Sequence, residues 1–124
     1  MTQILIVEDD KSLNQGIILA LREEGRSLHP AYTLSQARQI WKKETIDLVI
    51  LDITLPDGSG YGLLREIRQG SAVPVLMLTA NDLEIDQVTG FSLGADDYIT
   101  KPFSLMVLRA RVERTLKRMQ GETI

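Results

Sequence analysis

Three short apolar runs recur along the chain, and none of them alternates with polar residues. They cover residues 4–7, 48–51 and 75–78. Uninterrupted apolar runs of this length are typical of strands that are buried on both faces of a parallel sheet. Two weaker strands are predicted over residues 27–32 and 97–100.

Helical periodicity separates these runs. Apolar residues return every three or four positions over residues 11–24, 34–44, 60–69, 84–93 and 104–119. Thr33 followed by Gln36 is the signature of a capping box at the start of the second of these segments. Gly25 and Gly94 stand where C-terminal caps are expected. The pattern therefore predicts five helices.

Five strands that alternate with five helices predict an α/β fold, a doubly wound (βα)5 three-layer sandwich of flavodoxin-like topology. We expect its parallel five-stranded sheet to have the order 2-1-3-4-5, counting the predicted strands along the chain. Pro30 agrees with that order, because it cannot donate a ladder hydrogen bond and favours an edge for the second strand. Ligands are expected at the carboxyl ends of the first and third strands, where the order reverses.

Composition narrows the class of protein. The chain has 124 residues, no cysteine and a formal net charge of −3. The length fits a single domain over residues 1–119, with residues 120–124 as the start of a linker. The absence of cysteine excludes disulfides and thiolate chemistry. The net charge disfavours wholesale binding of nucleic acid.

No apolar run approaches the roughly 20 residues of a membrane span, and no signal peptide is seen, so a cytoplasmic location is expected.

Polar residues stand where the predicted strands end. They are Glu8, Asp9 and Asp10 after the first strand, Asp52 at the end of the third, Thr79 at the end of the fourth, and Lys101 after the fifth. Parallel strands bring their carboxyl ends to one edge of the sheet, so these side chains are expected to converge. Clustered carboxylates repel each other until a cation neutralises them. Oxygen ligands without histidine or cysteine favour a hard cation, and Mg²⁺ over Ca²⁺.

Each of these residues has an ordinary explanation when it is taken alone. The acidic run fits a solvated turn that caps the first helix. Asp52 fits an acid at the end of a strand, and Lys101 fits a surface lysine. Their combination at the point where the strand order reverses favours a binding site instead.

Six segments together resemble the receiver domain of two-component response regulators, over essentially the whole chain. They are residues 4–10, 47–52, 55–60, 79–80, 94–98 and 101–103. The Gly-Ala-Asp-Asp-Tyr stretch at 94–98, with the arginines of the last predicted helix, is similar to the OmpR/PhoB subfamily of transcription factors.

The resemblance implies a phosphoacceptor and a metal site. Asp52 matches the aspartate that takes a phosphoryl group from the phosphohistidine of a sensor histidine kinase. Glu8 and Asp9 match the acidic pair that holds Mg²⁺ together with Asp52 and the backbone carbonyl of Thr54.

The resemblance also implies a switch. Thr79 and Lys101 match the residues that grip the phosphoryl oxygens. Tyr98 matches an aromatic side chain that swings inward when the Thr79 hydroxyl moves towards the phosphate. The Lys101–Pro102 bond is a candidate cis peptide.

A homodimer that depends on phosphorylation is implied as well, with cross-subunit charge pairs. Asp97 and Arg111 match one such pair, and Asp96 and Arg118 match another. A third pair is replaced by Gln87 and Val107, which makes the face more apolar, and Phe91 is expected beside them. DNA would be contacted only through a C-terminal winged-helix domain outside this chain, although a stand-alone receiver is an alternative. No membrane contact is expected.

Two other functions are possible alternatives for a fold and residue set of this kind. Haloacid-dehalogenase-type phosphatases use a similar set of groups, and Asp52-Ile53-Thr54 is similar to their nucleophile motif. However, they usually carry a second aspartate at the position of Thr54, and their acidic pair follows the lysine. A flavin mononucleotide carrier would need a glycine- and hydroxyl-rich loop after the first strand, where residues 8–10 would repel phosphate. The chain is therefore expected to be a switch and not an enzyme.

Overall fold

The computed structural model describes residues 1–80 and 92–121. The strands are β1 (Thr2–Val7), β2 (Arg26–Ala31), β3 (Leu48–Asp52), β4 (Thr54–Leu55), β5 (Gly58–Ser59), β6 (Val75–Thr79) and β7 (Asp97–Thr100). The helices are α1 (Lys11–Leu21), α2 (Leu34–Lys43), α3 (Gly60–Arg68) and the C-terminal helix (Leu105–Met119). The helix predicted over residues 84–93 falls, except for its last two residues, outside the described residues.

Five of the strands form one parallel sheet in the order β2-β1-β3-β6-β7. Among the described residues, the short strands β4 and β5 pair with each other and not with the main sheet, as an antiparallel hairpin that the sequence did not predict. When only the sheet strands are counted, the order is 2-1-3-4-5, so the prediction of the doubly wound fold is confirmed. Pro30 lies on the edge strand β2, where the missing N–H costs no ladder bond on the open side.

The core lies on both faces of the sheet, which explains why the strongest strands show no alternation. Leu5 and Val7 of β1 pack into a cluster with α2 and α3. Ile4 and Ile6 of the same strand pack into a second cluster with α1 and the C-terminal helix. All four side chains are completely buried. Within the described residues, no helix is long and apolar enough to cross a bilayer.

Side chains outside α2 hold its first turn. The Thr33 hydroxyl accepts a hydrogen bond from the Gln36 N–H at 3.1 Å, as a capping residue does. The Asp57 carboxylate, from the turn between β4 and β5, accepts from the N–H groups of Leu34 at 2.8 Å and Ser35 at 3.0 Å. These backbone donors lower the pKa of Asp57. The segment that follows Asp52 is thereby fastened to α2.

Candidate functional site

Three carboxylates meet at the carboxyl ends of β1 and β3. Glu8 follows β1 directly, and Asp52 is the last residue of β3. One carboxylate oxygen from each of Glu8, Asp9 and Asp52 lies within 4.8 Å of the other two. Glu8 and Asp52 are buried, whereas Asp9 is exposed. We call these three residues the carboxylate cluster.

Lys101 places its ammonium group between the two buried members of the carboxylate cluster. Its Nζ lies 2.5 Å from Oε1 of Glu8 and 3.0 Å from Oδ2 of Asp52. Its backbone N–H donates to the Thr79 carbonyl at 2.7 Å, which ties the segment after β7 to the end of β6. The Lys101–Pro102 peptide bond is cis.

The charged groups of the cluster shift one another's pKa values. Burial raises the pKa of Glu8 to about 7, although hydrogen bonds from Lys101 and from the Asp10 N–H act in the opposite direction. Burial lowers the pKa of Lys101, but hydrogen bonds to Glu8 and Asp52 outweigh this effect, and the net pKa is raised. One ammonium faces three acidic groups, so the site still favours additional positive charge.

The donor set fits a hard divalent cation. All of its ligand atoms are carboxylate oxygens, within 4.8 Å of one another, and Asp9 keeps one side open to solvent. Mg²⁺ is held by one or two carboxylates together with water and phosphate oxygens, which is what this geometry allows. Thr54 lies two residues beyond Asp52, and its N–H contacts Asp52 Oδ1 at 3.4 Å. This contact places the Thr54 backbone beside the cluster.

Thr79 and Tyr98 lie on neighbouring strands next to this site. Thr79 is buried at the end of β6, the strand that pairs with β3. Tyr98 lies on β7, opposite Met77, and is 8% exposed. Its hydroxyl lies 2.5 Å from the hydroxyl of Tyr61. The aromatic side chain implied as a switch therefore points inward, among the residues of the α2 and α3 layer.

The acids assigned to the dimer face already have partners within the chain. Arg111 donates to Asp97 Oδ1 at 2.9 Å and to the Tyr98 carbonyl at 3.0 Å. Asp96 accepts from Arg68 at 2.9 Å and from the Val75 N–H at 2.8 Å. A dimer that uses these carboxylates would either share them between two cations or exchange one partner for another.

Two other residues of the predicted dimer face lie on the C-terminal helix. Arg118 is exposed near the end of the C-terminal helix, and Val107 is 46% exposed near its start. Gln87 and Phe91 lie outside the described residues.

Asn14 supports the site, although the sequence pattern did not predict this role. It is completely buried on α1, and its side-chain amide donates to the Glu8 carbonyl at 3.0 Å and to the Ile6 carbonyl at 3.2 Å. It therefore fixes the end of β1, from which Glu8 projects. A polar residue on the apolar stripe of α1 was the available signal, because a buried amide needs hydrogen-bond partners.

Gly60 brings α3 into direct contact with the backbone of Asp52. A Cβ atom at this position would lie 2.1 Å from the Asp52 carbonyl oxygen. The Gly60 N–H also donates to the Ile53 carbonyl at 2.7 Å. Only a residue without a side chain fits here, so Gly60 helps to position the phosphoacceptor candidate.

We expect Gly60→Ala to destabilise the fold by at least about 2 kcal/mol, because the added methyl group meets rigid backbone. Urea denaturation would measure this loss. Gly62→Ala in the same helix is the matched control, since its Cβ would meet nothing within 4 Å. That control should gain up to about 1 kcal/mol from the lower entropy of the unfolded chain. Equal stabilities of the two variants would contradict the packing described above.

An α/β sheet with carboxylates and one lysine at the carboxyl ends of its strands is suited to bind a divalent cation and a phosphoryl group. The chain matches the response regulator receiver domain over residues 4–113, and it belongs to that family. This identification agrees with the resemblance seen in the sequence and gives no support to the phosphatase alternative.

Relatives and solved structures narrow the subfamily. The chain is 45% identical to the regulatory protein VanRc of Enterococcus gallinarum, over 95% of this chain and 51% of that protein. It is 45% identical to the transcriptional regulatory protein PmrA of Pectobacterium parmentieri, over 98% of this chain and 55% of that protein. The chain thus spans about half the length of these relatives.

Solved receiver domains share the fold. A CheY-like receiver domain from Methanospirillum hungatei superimposes with a TM-score of 0.90 at 27% identity, over 99% of each chain. DrrB of Thermotoga maritima, an OmpR/PhoB homologue, gives a TM-score of 0.86 at 36% identity, over 96% of this chain and 54% of that one. These likenesses support an OmpR/PhoB-type receiver.

Proposed function

We propose that Asp52 accepts a phosphoryl group from the phosphohistidine of a sensor histidine kinase. The observation that carries this proposal is the position of Asp52, at the end of β3, within the carboxylate cluster and 3.0 Å from the Lys101 ammonium. Its carboxylate is the nucleophile, and phosphoryl transfer requires in-line positioning and neutralised oxygen charge rather than further covalent help.

The remaining polar groups have matching roles in this proposal. Glu8, Asp9 and Asp52, with the backbone carbonyl of Thr54, would hold Mg²⁺. When bound, that ion supplies positive charge to the phosphoryl oxygens. The Lys101 ammonium and the Thr79 hydroxyl contact the same oxygens, and Lys101 leaves part of its pairing with Glu8 and Asp52 to do so.

The proposed output is a change in self-association. A phosphoryl group adds negative charge and acceptor oxygens at Asp52, which draws the Thr79 hydroxyl towards it. Tyr98 already points inward in the structure, and that movement would favour this position over an outward one. The domain would then dimerise through the segment 84–93, β7 and the C-terminal helix, and control transcription in the cytoplasm through a DNA-binding domain beyond residues 120–124. The phosphoryl group is transferred to the protein itself and would then be hydrolysed slowly. We therefore propose no enzymatic turnover of a separate substrate.

Incubation with acetyl phosphate tests the site. Intact-mass spectrometry should show one added phosphoryl group when Mg²⁺ is present and almost none without it. Asp9→Asn should lower the apparent affinity for Mg²⁺ by about tenfold or more, because it removes one carboxylate from the metal site. Phosphorylation that does not depend on either Mg²⁺ or Asp9 would exclude this arrangement.

Self-association should increase on treatment with beryllofluoride, a phosphoryl mimic. Exposed ion pairs contribute only about 0–1 kcal/mol each, so the apolar Val107 must contribute to the dimer. Val107→Glu should therefore weaken the activated dimer, as measured by sedimentation velocity. Leu19→Glu is the matched control, because Leu19 is an exposed apolar residue on α1, a helix that is not part of the proposed face. If both variants dimerise like the parent chain, another surface is used.

Arg111→Glu should abolish the activated dimer, since it would place an acid opposite Asp97. The same change also breaks the contact of Arg111 with the Tyr98 carbonyl within the chain. Val107→Glu is therefore the cleaner test.

A further inference from the structure

The first turn of α3 touches the phosphoacceptor candidate on one side and the switch candidate on the other. Gly60 lies against the backbone of Asp52, and its N–H donates to the Ile53 carbonyl at 2.7 Å. The next residue, Tyr61, places its hydroxyl 2.5 Å from the hydroxyl of Tyr98. Two adjacent residues thus connect β3 with β7, although β6 lies between these strands in the sheet.

Local contacts fix this turn. The Ser59 hydroxyl caps α3 by accepting from the Tyr61 N–H at 3.2 Å. The preceding turn is fastened to α2 by the two hydrogen bonds of Asp57. The Tyr61 ring packs against the same apolar cluster that contains Tyr98. A shift of the Asp52 backbone would therefore be transmitted to the Tyr61 hydroxyl rather than lost in a loose segment.

We propose that Tyr61 is a positioning residue that couples the state of Asp52 to the position of Tyr98, by a route through α3 that is separate from Thr79. The coupling rests on the proposed function, since it assigns the phosphoacceptor role to Asp52 and the switch role to Tyr98. One hydroxyl donates and the other accepts, so the pair favours the inward position of the Tyr98 ring.

The coupling requires the hydroxyl of Tyr61 and not only its ring. Tyr61→Phe keeps the aromatic packing and removes one hydrogen-bonding group, which leaves the Tyr98 hydroxyl without this partner. A net hydrogen bond changes an equilibrium constant by about 2- to 10-fold, and we expect a change of that size in the ratio of inward to outward Tyr98.

Carbon-13 labelling of the tyrosine rings gives the direct measurement. The chain has three tyrosines, so each ring resonance can be assigned with single Tyr→Phe variants. In Tyr61→Phe the Tyr98 resonance should move at rest, and its response to beryllofluoride should become smaller. Tyr32→Phe is the matched control, because it removes a hydroxyl that contacts Gln15 instead. It should leave the Tyr98 resonance unchanged.

A double-mutant cycle in urea tests the hydroxyl pair independently of phosphorylation. Tyr61→Phe, Tyr98→Phe and the double variant should lower stability non-additively, because both single changes break the same bond. Additive effects together with an unmoved Tyr98 resonance would overturn the proposal. If beryllofluoride leaves even the parent chain unaffected while the cycle shows coupling, the hydroxyl pair is real and the proposed function of Asp52 is what fails.

Discussion

Asp52→Asn should abolish phosphorylation by acetyl phosphate or by a kinase while the fold stays intact. The carboxamide is a poor nucleophile, and it removes one ligand from the proposed metal site. The fold should survive because the amide has nearly the shape of the carboxylate and because Lys101 keeps its contact with Glu8, at 2.5 Å. Intact-mass spectrometry should show no added phosphoryl group, and circular dichroism should be that of the parent chain.

Asp10→Asn is the matched control for this prediction. Asp10 is an exposed acid at the same edge of the sheet, and it caps α1 by accepting from the Leu13 N–H at 3.1 Å. Asparagine caps helices as well as aspartate does, so both stability and phosphorylation should be retained. An unchanged phosphorylated fraction in Asp52→Asn would rule out Asp52 as the acceptor.

Lys101→Met should produce the largest loss of stability of the changes at this site. Methionine keeps the unbranched apolar stem, one atom shorter, but removes the ammonium that pairs with two buried acids, Glu8 and Asp52. Breaking a buried ion pair costs about 3–5 kcal/mol, and we expect about 2–4 kcal/mol because the Lys101 side chain is 23% exposed. Urea denaturation without divalent ions would measure the loss.

Mg²⁺ should stabilise Lys101→Met more than the parent chain, because the ion then replaces the only cation that contacts the two acids among the described residues. Phosphorylation should nevertheless be slower, since one of the two groups proposed to contact the phosphoryl oxygens is gone. Lys43→Met is the control for loss of an exposed lysine, and it should change stability by less than about 1 kcal/mol. If Lys101→Met is as stable as Lys43→Met without Mg²⁺, the two ion pairs do not hold the cluster.

The sequence predicted those parts of the fold that depend on local pattern. The apolar runs in β1, β3 and β6 required no knowledge of their partners, because a strand buried on both faces is apolar at every position. The edge position of β2 followed from Pro30 alone. By contrast, β4 and β5 contain two residues each, and so short a pair has no periodicity to detect.

The pattern along the chain was enough to place Glu8, Asp52, Thr79 and Lys101 at the carboxyl ends of parallel strands, and hence at one edge of the sheet. Which atoms meet at this edge depends on the packing of the folded chain. Lys101 is 49 residues from Asp52, Tyr61 is 37 from Tyr98, and Arg68 is 28 from Asp96. Such pairs depend on how long, flexible side chains pack across separate elements, and no spacing along the chain encodes that packing. Within the single chain, Asp96 and Asp97 likewise pair with arginines that are distant in sequence. The charge pairs expected between subunits stay a prediction.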